Sequence, residues 1–165
     1  MINPVRRIGS NIADSSQTLT WLLFRALGST MFMTHGYAKL FGENPQAFMG
    51  EGITVVDIGG VIVFPMPLEI NALFIAGVVE LFGGFLILIG LWTQLIALIA
   101  AVIMAMAYLT AHLAWFPTLN RGELAAMYFI SFLVMFAFGP GPVSLDSYFA
   151  RKRQEKFQEK MEANM

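Results

Sequence analysis

Residues 70–113 read INALFIAGVVELFGGFLILIGLWTQLIALIAAVIMAMAYLTAHL, and this stretch decides the fold. A helix needs about 20 mostly apolar residues to cross about 30 Å of hydrocarbon. The stretch supplies that length twice, with a break at Gly90-Leu91-Trp92-Thr93-Gln94. Spans over 70–92 and 93–113 therefore form a tight antiparallel hairpin, and Trp92 suits the membrane–water interface. Glu80 is the one carboxylate inside it, and no lysine or arginine occurs.

Working outward, two more apolar runs qualify. One covers 19–41, and a shorter one covers 123–138 before Gly139-Pro140-Gly141-Pro142 breaks it. Proline lacks the amide donor and glycine favours the turn. The composition agrees: 57% of the 165 residues are hydrophobic and 13% charged, about half the charged share of roughly 25% in soluble domains. The expected fold class is all-α, an integral membrane four-helix bundle. It divides into an N-terminal segment at 1–18, a transmembrane domain at 19–143 and a helical tail at 144–165.

Orientation follows from basic residues in the short flanks. Arg6 and Arg7 precede the first span, and Arg151, Lys152, Arg153, Lys156 and Lys160 follow the last. The opposite side carries only Lys39 and Arg121, with Glu43, Glu51, Asp57 and Glu69 in the 42–69 loop. Both termini are expected in the cytoplasm, in a multi-pass protein of the cell inner membrane. Arg6-Arg7 is not followed by an apolar run with a cleavage site, so no cleaved signal peptide is read. The net charge of −1 does not bear on nucleic acid by itself, but no basic stripe runs along a soluble face, so no nucleic-acid partner is expected.

The 42–69 loop is too apolar for a solvated connection. Residues 53–57 and 61–64 read as strands around Gly59-Gly60, so a small hairpin is expected, lying on the membrane or folding over the mouth of the bundle. In the tail, Ser144 can cap a helix, Asp146 suits its N-terminus, and Arg151 and Glu155 are spaced to pair. The tail is either a solvated helix or a docking helix for a soluble partner or an anionic membrane surface. Ala97, Ala101 and Ala105 lie four apart, and Gly77, Gly83, Gly84 and Gly90 occupy the second span. Both sets read as close packing, with the eleven methionines filling gaps.

Ionisable groups within spans carry the chemistry, because each costs about 2.5–3.5 kcal/mol at the bilayer centre. Counting depth along each span puts Arg25 and Glu80 within reach of one another. They are expected to form a buried ion pair, as a clasp or as a holder for a polar ligand head. His35 and Lys39 late in the first span, His112 late in the third, and Arg121 and Glu123 before the fourth form an expected outer cluster. The histidines can hold haem or relay protons, or simply meet headgroups, and Lys39 can snorkel. No HxxxH or H-E-x-x-H spacing marks a metal site. The ligand-binding candidates are Arg25, Glu80, His35 and His112, supported by Lys39, Arg121, Glu123 and Tyr128.

Taken in order, these elements resemble the DoxX family of small four-helix membrane proteins. The resemblance rests on R-A-L-G (25–28), H-G-Y-A-K-L (35–40), E-L-F-G-G-F-L-I-L-I-G-L-W-T (80–93), His112, Glu123 and G-P-G-P-V-S-L-D (139–146). It covers roughly 19–146 and leaves out the apolar loop and the charged tail. The resemblance implies redox chemistry: some relatives are subunits of a thiosulfate:quinone oxidoreductase, and others associate with oxidative-stress or thiol systems. This chain has no cysteine, so it carries out no thiol exchange itself and has no iron–sulfur cluster or disulfide.

The first expectation is an oxidoreductase subunit that binds a quinone in the bundle and works with an electron-donating protein partner. No flavin or NAD motif is present, and haem on the two histidines is the second cofactor option. The alternative is a non-enzymatic membrane anchor or assembly factor. A transporter is disfavoured by the short bundle and the lack of an inverted repeat.

The charge asymmetry predicts a topology. A reporter fused to the C-terminus should report from the cytoplasm, and one inserted near Gly50 from outside. Labelling of residue 50 by a reagent confined to the cytoplasm would overturn it.

Overall fold

The computed structural model describes residues 4–163, with side chains from residue 14 onward. Residues 1–3 and 164–165 and the side chains of Arg6 and Arg7 lie outside the described residues, so the positive N-terminal flank does too. The chain is mostly helical. Helix α1 is Pro4–Phe41. Strands β1 (Val55–Ile58) and β2 (Ile62–Pro65) follow, then α2 (Ala72–Ile89), α3 (Thr93–Ala111), α4 (Glu123–Phe138) and α5 (Leu145–Ala163).

Helices α2 and α3 are long and apolar enough to cross a membrane, and α4 is apolar but shorter. Helix α1 runs unbroken through the predicted boundary at residue 19. Its outward stripe is apolar and exposed: Leu19, Leu23, Leu27 and Met31 follow one another at four-residue spacing. Exposed apolar side chains continue on the other helices, including Phe82, Phe85, Leu95, Val102, Met127 and Ile130. A continuous apolar exterior of this extent fits lipid as the surrounding solvent.

The backbone explains where α2 stops. Gly90 takes the left-handed conformation (φ 71°, ψ 41°). Its N–H donates to Ile87 O at 3.0 Å, and the Leu91 N–H donates to Leu86 O at 2.9 Å. This double closure satisfies carbonyls that the helix end leaves free. The turn into α3 is held from far along the chain. Asp146 accepts from the N–H groups of Trp92 at 2.9 Å and Thr93 at 3.0 Å, capping α3 from the start of α5. Asp146 was expected to serve the helix it begins; its carboxylate serves another. Ser144 does cap α5, accepting from the Ser147 N–H at 3.1 Å. Arg151 forms no ion pair with Glu155 among the described residues, and donates to Pro142 O at 3.4 Å instead.

Helix α1 packs antiparallel on α2, and α3 packs on α4. The α1–α2 seam is nearly side-chain-free. A Cβ on Gly36 would lie 2.7 Å from Gly77 O and 2.9 Å from Glu80 C, and one on Gly84 would lie 2.6 Å from Met33 Cγ. These glycines let the two backbones touch. The core beside the seam is Phe32, Ile87, Ala97, Ala100, Ala101, Met104, Tyr128, Phe132 and Met135. Phe32 and Phe132 meet edge to face at 4.6 Å, and Phe132 stacks on Tyr128 at 5.9 Å. Ala97 and Ala101 are buried as expected of the small-residue row.

The departure from an all-α class is the loop. Strands β1 and β2 form an antiparallel hairpin with Val55 opposite Pro65 and Ile58 opposite Ile62. Gly59 and Gly60 both have positive φ, as the tight turn requires. Asp57 Oδ1 accepts from the Gly60 N–H at 2.7 Å. Asn71, fully buried, ties this loop to α2. Its Oδ1 accepts from Leu73 N at 3.0 Å and Ile53 N at 3.2 Å, and its Nδ2 donates to Gln46 Oε1 and Ala47 O at 3.1 Å.

Asn71→Ala removes all four bonds and strands buried backbone groups. It should cost roughly 1–3 kcal/mol and speed proteolysis within 42–69. Asn71→Asp keeps both accepting positions and should be milder. Equal proteolysis rates for wild type and Asn71→Ala would show that the loop is held elsewhere.

Candidate functional site

Two charged side chains are buried among the described residues, Arg25 and Glu80, each 3% exposed. The expected pair between them is not formed. Glu80 is held by Lys39, whose Nζ donates to the two carboxylate oxygens at 2.7 and 2.5 Å. Arg25 donates to Pro140 O, and to Val143 O at 2.6 Å. The seam gives the physical reason. Gly90 faces Arg25, Gly84 faces Met33, and Gly77 faces Lys39 and Leu40. Along this register Glu80 lies level with the His35 turn, about ten residues from Arg25, or ~15 Å at 1.5 Å per residue.

Arg25 thus belongs to a clasp at the end of the seam formed by Gly90 and residues 139–146. Trp21 Nε1 donates to Gly139 O at 3.2 Å, and Gln94 Nε2 donates to Phe136 O at 2.9 Å. The Asp146 N–H donates to Gly90 O at 2.9 Å. The segment 139–146, read from sequence as a helix breaker at 139–142 and a cap for the tail helix at Ser144 and Asp146, also gathers α1, the α2–α3 turn and the start of α5.

The second cluster sits in the half of the seam nearer the 42–69 loop. Between Val79 and Gly83 the α2 backbone widens into a π-turn, and Glu80 lies on it. Such turns insert one extra residue into a helix and occur often at functional sites. His35 precedes Lys39 by four residues on α1, and so shares its face. The His35 ring meets Tyr128 edge to face at 5.9 Å. Tyr128 is 8% exposed, and its hydroxyl has no hydrogen-bond partner among the described residues. Glu80 is near enough to act electrostatically on both His35 and Tyr128. A buried hydroxyl without a partner costs about 1–3 kcal/mol, so its retention calls for a reason.

The arrangement unites an ammonium–carboxylate pair, an imidazole and a free phenol against the rings of Phe32 and Phe132. It can donate hydrogen bonds to a carbonyl and exchange protons with it. His112 stands apart: its Nδ1–H donates to Asn120 O at 3.0 Å, and no bond or ring contact among the described residues joins it to His35. Arg121 is exposed in a left-handed conformation (φ 53°), and Glu123 is exposed in the first turn of α4. The expected outer cluster therefore divides. His35, Lys39 and Tyr128 join Glu80; His112, Arg121 and Glu123 shape the α3–α4 connection. The sequence held only part of the signal for the Lys39–Glu80 pair: Gly36 permits close approach to α2, but Gly77, Gly83, Gly84 and Gly90 offer several registers, and the structure selects the one that sets Gly36 against Gly77 and Glu80.

Comparisons with known proteins agree with the architecture. The DoxX family model matches residues 20–113. A protein of Haemophilus influenzae, described as an uncharacterized protein, is 38% identical over 133 residues, covering 78% of this chain and 89% of that protein. No solved structure matches.

The two clusters predict opposite couplings. In a Lys39→Met and Glu80→Gln cycle in mild detergent, the double variant should recover about 1 kcal/mol relative to the sum of the singles, a typical scale for polar contacts within membranes. Arg25→Gln and Glu80→Gln should simply add. Coupling of Arg25 with Glu80 as large as that of Lys39 would overturn this assignment.

Proposed function

We propose that this chain, which belongs to the DoxX family of membrane proteins, is a redox-linked subunit that binds a quinone within its helix bundle. In this reading all four helices α1 to α4 span the inner membrane, both termini are cytoplasmic, and a protein partner supplies electrons. The observation that carries the reading is the Tyr128 hydroxyl, buried and without a hydrogen-bond partner among the described residues, on a ring that meets His35, one turn from Lys39 and its partner Glu80. Orphaned donors of this kind suit the carbonyl oxygens of a quinone head. The redox chemistry implied by the family resemblance points the same way.

When bound, a quinone supplies two-electron, two-proton redox chemistry. The residues have separable parts in serving it. Tyr128 offers its O–H to one carbonyl, and His35 offers a ring N–H from the edge of the bundle. Lys39 stabilises the Glu80 carboxylate, which then holds a place for a proton between the seam and the head. Phe32 and Phe132 keep water away from the phenol. Arg25, occupied by Pro140 O and Val143 O, is a structural residue in this scheme.

Solvent extraction of protein purified in mild detergent should yield about one quinone per chain. Tyr128→Phe should weaken quinone binding about tenfold, the upper value of one hydrogen bond, without lowering the melting temperature, because it removes an orphaned hydroxyl. A stoichiometric protein partner with no extractable quinone would overturn the reading in favour of a membrane anchor.

A further inference from the structure

Helix α5 is exposed from Tyr148 onward, yet its charges are sorted. At about 100° per residue, Phe149, Lys152, Arg153, Lys156 and Lys160 fall within one arc of about 100°. Glu155, Glu159 and Glu162 fall on the neighbouring arc, and Phe157 and Met161 flank the other edge. No salt bridge among the described residues engages Lys152, Arg153 or Lys156. Lys152 instead lies over the Tyr148 ring at 5.0 Å.

The same three cations line a groove. It has a volume of about 860 Å³, and its walls include Leu91 and Trp92 from the α2–α3 turn and Phe149, Lys152, Arg153 and Lys156 from α5. Asp146 borders it too, but both its oxygens are occupied by the N–H groups of Trp92 and Thr93. The groove therefore presents cations on one wall and apolar or aromatic groups on the other. Its position is informative. The α2–α3 turn joins the two helices that are long and apolar enough to cross a membrane, so it lies where hydrocarbon gives way to headgroups. Trp92, 64% exposed, is the residue type enriched at that level.

The geometry points to a binding site for an anionic phospholipid in this groove. Lys152, Arg153 and Lys156 hold the phosphate of the headgroup, while Leu91, Trp92 and Phe149 receive the start of the acyl chains. Charge complementarity selects the occupant: a zwitterionic lipid brings its own cation into the cationic wall and loses the advantage. The site fixes α5 along the membrane surface, with Phe157 and Met161 turned toward the boundary. It is independent of the proposed quinone site, which lies farther along the α1–α2 seam, beyond the Arg25 clasp.

Native mass spectrometry of the full chain in mixed micelles tests it. Equal amounts of phosphatidylglycerol and phosphatidylcholine are supplied. The wild type should retain phosphatidylglycerol preferentially, and rising salt should erase the preference. Each of Lys152→Gln, Arg153→Gln and Lys156→Gln should weaken retention about fivefold, the equivalent of about 1 kcal/mol per basic residue near an anionic surface. These side chains are exposed, so the detergent melting temperature serves as the folding control. Glu155→Gln with Glu159→Gln should leave retention unchanged or raise it. Inorganic phosphate at millimolar concentration should not displace the lipid, since it makes no apolar contact. Equal retention of both lipids by the wild type, an undiminished preference in a variant carrying Lys152→Gln, Arg153→Gln and Lys156→Gln together, or displacement by inorganic phosphate would each overturn the proposal.

Discussion

The close approach of α1 and α2 is the constraint from which the rest follows. Gly36 lies directly against the α2 backbone, and Gly77 and Gly84 make room for Lys39, Leu40 and Met33 of α1, so the fit of the two helices fixes their register. A shift by a turn would drive Met33 or Leu40 into backbone. Every polar contact along the seam inherits its partner from this fit. Lys39 meets Glu80 because Gly77 faces Lys39 and Leu40, and Arg25 meets the inner breaker because Gly90 faces Arg25.

The two ends of the seam are closed differently. At one end the 139–146 segment folds its carbonyls toward Arg25 and Trp21, and Asp146 lends a carboxylate to the first turn of α3. At the other end Asn71 draws the 42–69 loop onto the start of α2. Both closures rest on buried backbone polar groups that have no water to turn to. The proposed chemistry sits between them, in the one stretch where α2 departs from regular α-helix. A widened turn beside a buried carboxylate, and a phenol left without an acceptor, are features that packing alone does not reward. Lys39 is 28% exposed while Glu80 is 3% exposed, so the pair straddles the edge of the bundle.

Composition, apolar run length and breakers determined the helical hairpin at α2 and α3, the apolar helix at α4, the break at 139–142 and the strand-like hairpin around Gly59-Gly60. These properties are local: they depend on transfer of side chains to hydrocarbon and on turn geometry, both written residue by residue. The ordered motifs likewise made the family legible. The ionisable residues that matter were also visible, since charge in an apolar run is conspicuous. Their partners were not. Depth counted from Leu19 in the first run and from Trp92 in the second placed Arg25 beside Glu80, because a run's apolar edge is not the point where two helices align. Only the tertiary structure decided that Lys39 takes Glu80, that Arg25 and Asp146 serve the inner turn, and that the Tyr128 hydroxyl is left free. The physical reason is that helix register is set by backbone contact at glycines across the seam, a relation between distant residues that no local pattern encodes.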